Sequence, residues 1–426
     1  MLPPTEPDQL PKDPVTPVPL PAPHKVVMLS AGGLATLLAG LSMLGPFSID
    51  AYLPAFPQIM ANLHASPIEV QQTLTAYMLA FAGMVLWHGA LSDAFGRRNV
   101  ILVALVVFAI GTFGCAAAST VHYLWVFRIL QGVSAGAGVV VGRAIIRDLY
   151  SGAPAARLLS MVTMIFSIAP ALAPVLGGWI VTWFDWRAIF LALSAYTVLL
   201  GWVCWKHLPE TVAPAQRQPF NPRFLAQSYS AIFSSFLFQM KAGVTALNFA
   251  GLFLYITASP VLLPVHLKLG PSDFAWLFVP TVGGIFLGSM AANRLAGKYS
   301  FARQIGIGFA FMLSAVAFNV GYHLFLPPAL PWTVLPMFFF TFGSALISPG
   351  ATLLALDLFP HIRGTAASCQ SFIVTLMGAV VAGVIAPALS HSVLALALGQ
   401  AGFTLLALGC WLTSRHYRRV LARRAG

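Results

Sequence analysis

Between two long apolar runs the chain reads Gly89-Ala90-Leu91-Ser92-Asp93-Ala94-Phe95-Gly96-Arg97-Arg98. The runs on either side, 68–91 and 99–118, are nearly free of charge. Each has the length of one membrane-crossing helix, about 20 residues. The short polar stretch is therefore a turn between two spans. A glycine at a helix end lets a neighbouring backbone come close, and Gly96 permits a tight turn. Asp93 supplies an acceptor for a helix end or an arginine. Arg97 and Arg98 can pair with acids on adjoining helix ends, and Asp148 is the obvious candidate. A plain basic loop would account for the two arginines but not for the Gly, Asp, Gly spacing.

The pattern continues in both directions. Apolar runs fall at 28–52, 68–91, 99–118, 123–146, 159–182, 187–206, 240–264, 274–295, 303–325, 333–356, 365–388 and 391–413. Twelve spans leave little room for a soluble domain in 426 residues. Hydrophobic residues make up 58% and charged ones only 8%, against about 25% charged in a soluble domain. This excludes an ordinary cytosolic enzyme and a disordered chain alike. The expected fold class is an all-α membrane protein of twelve transmembrane helices in two six-helix halves.

The net charge of +12 would suggest nucleic acid in a soluble protein. Here the basic residues flank apolar runs, so they report orientation in a bilayer, and no nucleic-acid partner is expected. With the N-terminus in the cytoplasm, twenty of the 23 Lys and Arg fall on that side. Only Arg187 and Lys268 fall opposite, and Arg128 lies within a span. Both termini are thus expected to be cytoplasmic. Residues 1–25, with nine prolines, read as a disordered tail. The halves are expected at 26–206 and 239–414, joined by a hydrophilic linker, 207–238, with a basic tail over 415–426. Cys115, Cys204, Cys369 and Cys410 show no paired spacing and read as packing residues. No metal site or cofactor is expected. There is no phosphate-binding Gly-x-x-x-x-Gly-Lys-Ser/Thr loop, so any work would draw on a gradient.

Three spans carry unusual chemistry. Span 4 holds Arg128-Ile-Leu-Gln131-Gly132-Val-Ser-Ala-Gly136-Ala-Gly138. A buried arginine costs several kcal/mol in a bilayer, from about 2.5 upward, and persists only if paired, hydrated or functional. The alternative is snorkelling to the interface. The glycines thin the helix for a close neighbour. Span 5 holds Pro170-Ala-Leu-Ala-Pro174-Val-Leu-Gly177-Gly178, which combines a bend with a close crossing, or is merely kinked. Span 1 ends in Ser48-Ile-Asp50-Ala-Tyr-Leu-Pro54-Ala-Phe-Pro57. Asp50 is the one acid inside an apolar stretch of the first half. A carboxyl balanced between desolvation and a nearby arginine can load and release a proton. Asp50 and Arg128 both fall toward the outer third of their spans, so pairing between them is expected to be geometrically feasible. An interfacial Asp in water is the alternative.

The 89–98 run resembles the loop signature of the major facilitator superfamily, in which it acts as a cytoplasmic latch between halves. The second half keeps only Asn293 and Arg294. The Arg128 run resembles that superfamily's fourth-span motif, where the arginine is tied to proton coupling. The span 5 run resembles its antiporter motif, although Ala173 stands where Gly is usual. The Ser-Ile-Asp-Ala-Tyr-Leu-Pro-Ala-Phe-Pro string is similar to the first span of the bicyclomycin-resistance subfamily of drug:proton antiporters. Arg147-Asp148-Leu149-Tyr150 and Leu208-Pro209-Glu210-Thr211 match as well. Some related exporters carry a second acid eight residues before Asp50, where this chain has Ser42.

The resemblance implies a multidrug exporter embedded in the lipid bilayer of a bacterial inner membrane, exchanging protons for small lipophilic or zwitterionic substrates as a monomer. Asp50 and Arg128 would couple protons. Gly89, Asp93, Gly96, Arg97, Arg98 and Asp148 would form the latch, and Pro170, Pro174, Gly177 and Gly178 the pivot. Met43, Phe47, Tyr77, Gln131, Asn248, Phe253, Tyr255 and Gln370 are candidate substrate contacts. Two other readings stay open: a carrier of the same fold moving a sugar, amino acid or siderophore, and a non-transporting receptor or scaffold.

Overall fold

A computed structural model describes residues 29–217, 220–296 and 298–425. The proline-rich tail expected over 1–25 lies outside them. Among the described residues every regular element is helical. Twelve helices are long and apolar enough to cross a membrane. Spans 1 to 6 are Ala31–Leu63, Pro67–Phe95, Arg97–Ala117, Val121–Leu149, Arg157–Trp183 and Arg187–His207. Spans 7 to 12 are Phe236–His266, Pro271–Leu295, Phe301–Phe325, Leu335–Leu356, Pro360–Leu389 and Val393–Tyr417. The end of the bundle at Gly96 and Leu149 is called here the latch end; the other is the far end.

Local signals set the boundaries. Ser66 opens span 2 with a capping box closed by Glu69. Gly96, at φ 97°, turns the chain directly into span 3, a conformation that a side chain would strain. Thr120 caps span 4. Small residues then decide which spans touch. A Cβ on Gly132 would run into the carbonyl of Tyr77, and one on Gly138 into that of Leu41. Span 4 therefore packs backbone to backbone against both span 2 and span 1. Gly308 and Gly343 play the same part between spans 9 and 10. The outer face is apolar, with Val103, Phe113, Val198, Phe286 and Leu406 all exposed. Trp183, Trp276 and Trp332 are exposed at the far end and Trp202 and Trp205 at the latch end, as interfacial aromatic belts require.

Several elements differ from the sequence expectation. Span 1 does not stop at residue 52. It passes through a 3-10 turn, Leu53–Ala55, into a further helix, Phe56–Leu63. Pro54 and Pro57 stand in the first turn of those segments, where proline has no hydrogen bond to lose. Asp50 is consequently near the middle of a 33-residue rod, not in its outer third. Span 5 is two helices, Gly152–Phe166 and Ala169–Trp183, with Pro170 opening the second. The linker contains a helix of its own, Pro222–Phe233. The basic C-terminal segment is no separate tail, because the last helix runs from Val393 to Ala425.

Candidate functional site

Asp50 ends the first helix of span 1 and is only 5% exposed. It is the one buried acid among the described residues. Arg128, in span 4, is completely buried. The expected pairing of the two is absent: no ion pair or hydrogen bond joins them among the described residues. Arg128 donates instead to the carbonyl of Ser48 at 2.9 Å and to the Oε1 of Gln131 at 2.9 Å. Its guanidinium lies over the rings of Tyr77 and Tyr52, at 4.5 and 4.9 Å from their centroids. Charge-assisted hydrogen bonds contribute about 1.5–3 kcal/mol each, and desolvated cation–π contacts about 2 kcal/mol. Together they offset the cost of burying a cation, so snorkelling is unnecessary. Nε and Nη2 of Arg128 have no protein partner.

The neighbours are fixed in turn. Gln131 donates to the Thr112 hydroxyl at 2.8 Å, and Thr112 to the Phe108 carbonyl at 2.7 Å. The hydroxyls of Tyr52 and Thr73 share a 2.9 Å hydrogen bond. Spans 1, 2, 3 and 4 thus converge on one buried cation. Tyr52 and Ser48 were not among the sequence candidates. Both lie within the string quoted around Asp50, so the signal was present.

The span 5 glycines have two distinct neighbours. A Cβ on Gly177 would collide with the carbonyl of Ala51, the residue after Asp50. One on Gly178 would collide with the carbonyl of Pro271, where span 8 begins. Gly177 thus fits span 5 against the break in span 1, and Gly178 joins the two halves at the far end. A second tie there is the 2.9 Å bond from the Gln72 amide of span 2 to the Gly383 carbonyl of span 11. Gly383 lies in a π-helical turn, Val381–Ile385, which frees backbone carbonyls from the regular ladder.

At the latch end Arg97 pairs with Asp93 and, from Nε, with Asp148 at 3.0 Å. It also donates to the Ser92 hydroxyl at 2.7 Å. Its backbone amide donates to Glu210 at 2.9 Å, and Thr211 donates to Asp148 at 2.7 Å. Glu210 and Thr211 follow span 6, so the linker's first turn is part of this network. Among the described residues the network stays within the first half and the linker. Arg98 takes no acid and donates to the Trp205 carbonyl. Gly89 allows no close approach, since a Cβ there would make ordinary contact with a Val140 methyl.

The other candidates divide. Met43 and Phe47 line a cavity of about 310 Å³ with Ala51, Ile180 and Tyr196, between spans 1, 5 and 6. That cavity is inside the first half rather than between halves. Phe253 stacks on Phe249 and approaches Gly378 of span 11 beside Met78 of span 2, where the halves meet. Gln370 donates to Thr245 at 3.0 Å and Thr352 at 3.3 Å. Tyr255 accepts from Asn319 at 2.6 Å and is fully buried in the second half. Its hydroxyl is engaged within the second half, between spans 7 and 9. Asn248 is buried with both amide atoms unpartnered.

The Major Facilitator Superfamily model matches residues 36–382. The chain is 30% identical over 350 residues to the bicyclomycin resistance protein homolog of Haemophilus influenzae, covering 81% of this chain and 87% of that one. It is 28% identical over 387 residues to multidrug resistance protein D of Escherichia coli, covering 89% and 95%. In three dimensions it is similar to the POT family transporter PepTSo, with TM-score 0.70, 15% identity, and coverage of 91% and 98%. The chain, a membrane transporter rather than an enzyme, belongs to the Major Facilitator Superfamily.

Proposed function

We propose that this transporter exports small lipophilic or zwitterionic drug-like compounds from a bacterial cell in exchange for protons, with Asp50 as the proton carrier. The observation that carries the reading is the isolation of Asp50. It is the one buried acid among the described residues, and it stands near the middle of span 1 with no ion-pair partner there. An enclosed carboxyl without a counter-ion is held more easily as the neutral acid, and becomes an anion when water or a ligand reaches it. The names of the relatives, bicyclomycin resistance and multidrug resistance, support the choice of cargo.

The basic excess supports a cytoplasmic position for both termini and the latch end. The far end is then outside, and its closure at Gly178, Pro271, Gln72 and Gly383 corresponds to a state shut toward the exterior. The halves, 26–206 and 239–414, rock so that this contact opens and closes, with 207–238 as tether. Asp50 takes a proton while the far end is open. The neutral acid lets the far end shut, and cargo entering from the cytoplasm drives the proton off. Cargo can shift this equilibrium only through unequal affinity for the two states. Arg128 is held by the Ser48 carbonyl, two residues before Asp50, and not by the acid itself. The network around Arg97 ties spans 2, 3 and 4 to the linker's first turn in this exterior-shut state. A single copy suffices for the cycle.

The test is a resistance screen in an efflux-deficient bacterial host, with bicyclomycin, chloramphenicol and a panel of metabolites. The wild type is expected to raise resistance to at least one drug, and Asp50→Asn to raise none at equal expression. Resistance unaffected by Asp50→Asn would remove Asp50 from the mechanism. Uptake of a metabolite without drug resistance would replace the cargo.

A further inference from the structure

A groove of about 520 Å³ runs along the outer face of the first half, between spans 2 and 3, with span 4 as its floor. Met84, Leu91, Val103 and Val107 wall it, Val133 lies beneath, and Arg217 stands at the latch end. From Met84 to Phe95 the wall rises about 16 Å at 1.5 Å per residue. One leaflet's hydrocarbon layer is about 15 Å deep, half of a bilayer core. The groove opens to the side on which Phe95, Val103, Val106 and Ile110 are more than half exposed, so its entrance faces lipid and not the space between the halves.

Arg217 is the groove's charged end. It reaches back from the linker, and its Nη2 would lie 3.0 Å from a Cβ on Gly96. Its Nε is buried without a partner. The Glu210 carboxylate shares the space beside Gly96 with it but makes no ion pair with it among the described residues. A slot one leaflet deep, apolar along its length and cationic at the headgroup level, complements one molecule class: an acyl chain ending in an anion.

We propose that this groove binds a membrane phospholipid of the latch-end leaflet, one acyl chain between spans 2 and 3 and the phosphate on Arg217. Glu210 and Gly96 are immediate neighbours of Arg217, and Glu210 holds the amide of Arg97. The lipid thus touches the network that includes Arg97, and its headgroup charge bears on the latch.

The experiment titrates purified full-length protein in mild detergent with dioleoylphosphatidylglycerol and counts bound lipid by native mass spectrometry. Arg217→Gln removes the cation and Ala104→Phe fills the groove. Both are expected to weaken retention about tenfold or more, the loss of one charge-assisted contact or of the seat for the chain. Melting curves without lipid check that each variant is folded. Retention equal to wild type in both variants overturns the site. Loss in Ala104→Phe alone overturns the phosphate contact. Equal stabilisation of the wild type by glycerol 3-phosphate would assign Arg217 to a free phosphate and overturn the lipid.

Discussion

The guanidinium of Arg128 donates from Nη1 to the carbonyl of Ser48 at 2.9 Å, which ties the buried cation to the backbone two residues ahead of Asp50. The base is therefore held in place whether or not the acid carries charge. Among the described residues no ion pair joins the two side chains.

Arg128→Lys is expected to fail as a conservative change. Lysine keeps the charge but cannot reach Ser48 and Gln131 together or stack between two rings. With one charge-assisted bond lost, export should fall about tenfold. Initial rates of drug export from energised cells at matched protein level check this, and an unchanged rate would contradict it.

The two span 5 glycines should separate by phenotype. Gly178→Leu pushes against the backbone of Pro271 at the junction of the halves and should favour the state open at the far end. Labelling of a cysteine introduced at the far end should speed up. Gly177→Leu pushes against Ala51 within one half, and overpacking of this kind costs about 1–3 kcal/mol. Its expected signature is a lower melting temperature with no gain in far-end labelling. The same phenotype from both would contradict the assignment.

Arg97 and Asp148 are expected to couple. Their contact is partly shielded, with side chains 10% and 25% exposed, so a double-mutant cycle with alanine should give about 1 kcal/mol. Glu210→Gln should reduce that coupling, because the linker turn carrying Thr211 also holds Asp148. Additive effects across the cycle would rule out a shared network.

Tyr229 of the linker helix donates to the Leu86 carbonyl of span 2 at 2.7 Å. Burial pushes its phenol from 10.0 up to about 12, so the donor stays protonated throughout the neutral range. Tyr229→Phe should cost about 1 kcal/mol of stability, equally at mildly acid and mildly basic pH. A loss that varies across that range would indicate a different partner.

The spans were legible because apolar runs of membrane length are interrupted by glycine, proline and charge. Span 1 continues past residue 52 because Pro54 and Pro57 each stand in the first turn of a new helical segment. Asp148 beside Arg97 was readable as an acid at a helix end facing a basic turn. Glu210 was not, since its place follows from span 6 packing along span 3, which returns the linker to residue 97 from 113 positions away. The side of span 7 that would face a cavity is harder to read. Span 7 is buried over 78% of its apolar window, so periodicity does not reveal which side of the helix faces a cavity.

Drug-driven proton movement in sealed proteoliposomes addresses the role of Asp50 most directly. With a pH dye trapped inside and chloramphenicol added outside, the wild type should move protons opposite to the drug. Asp50→Asn, folded and inserted to the same extent, should move none. Proton movement by the variant equal to that of the wild type would contradict the account.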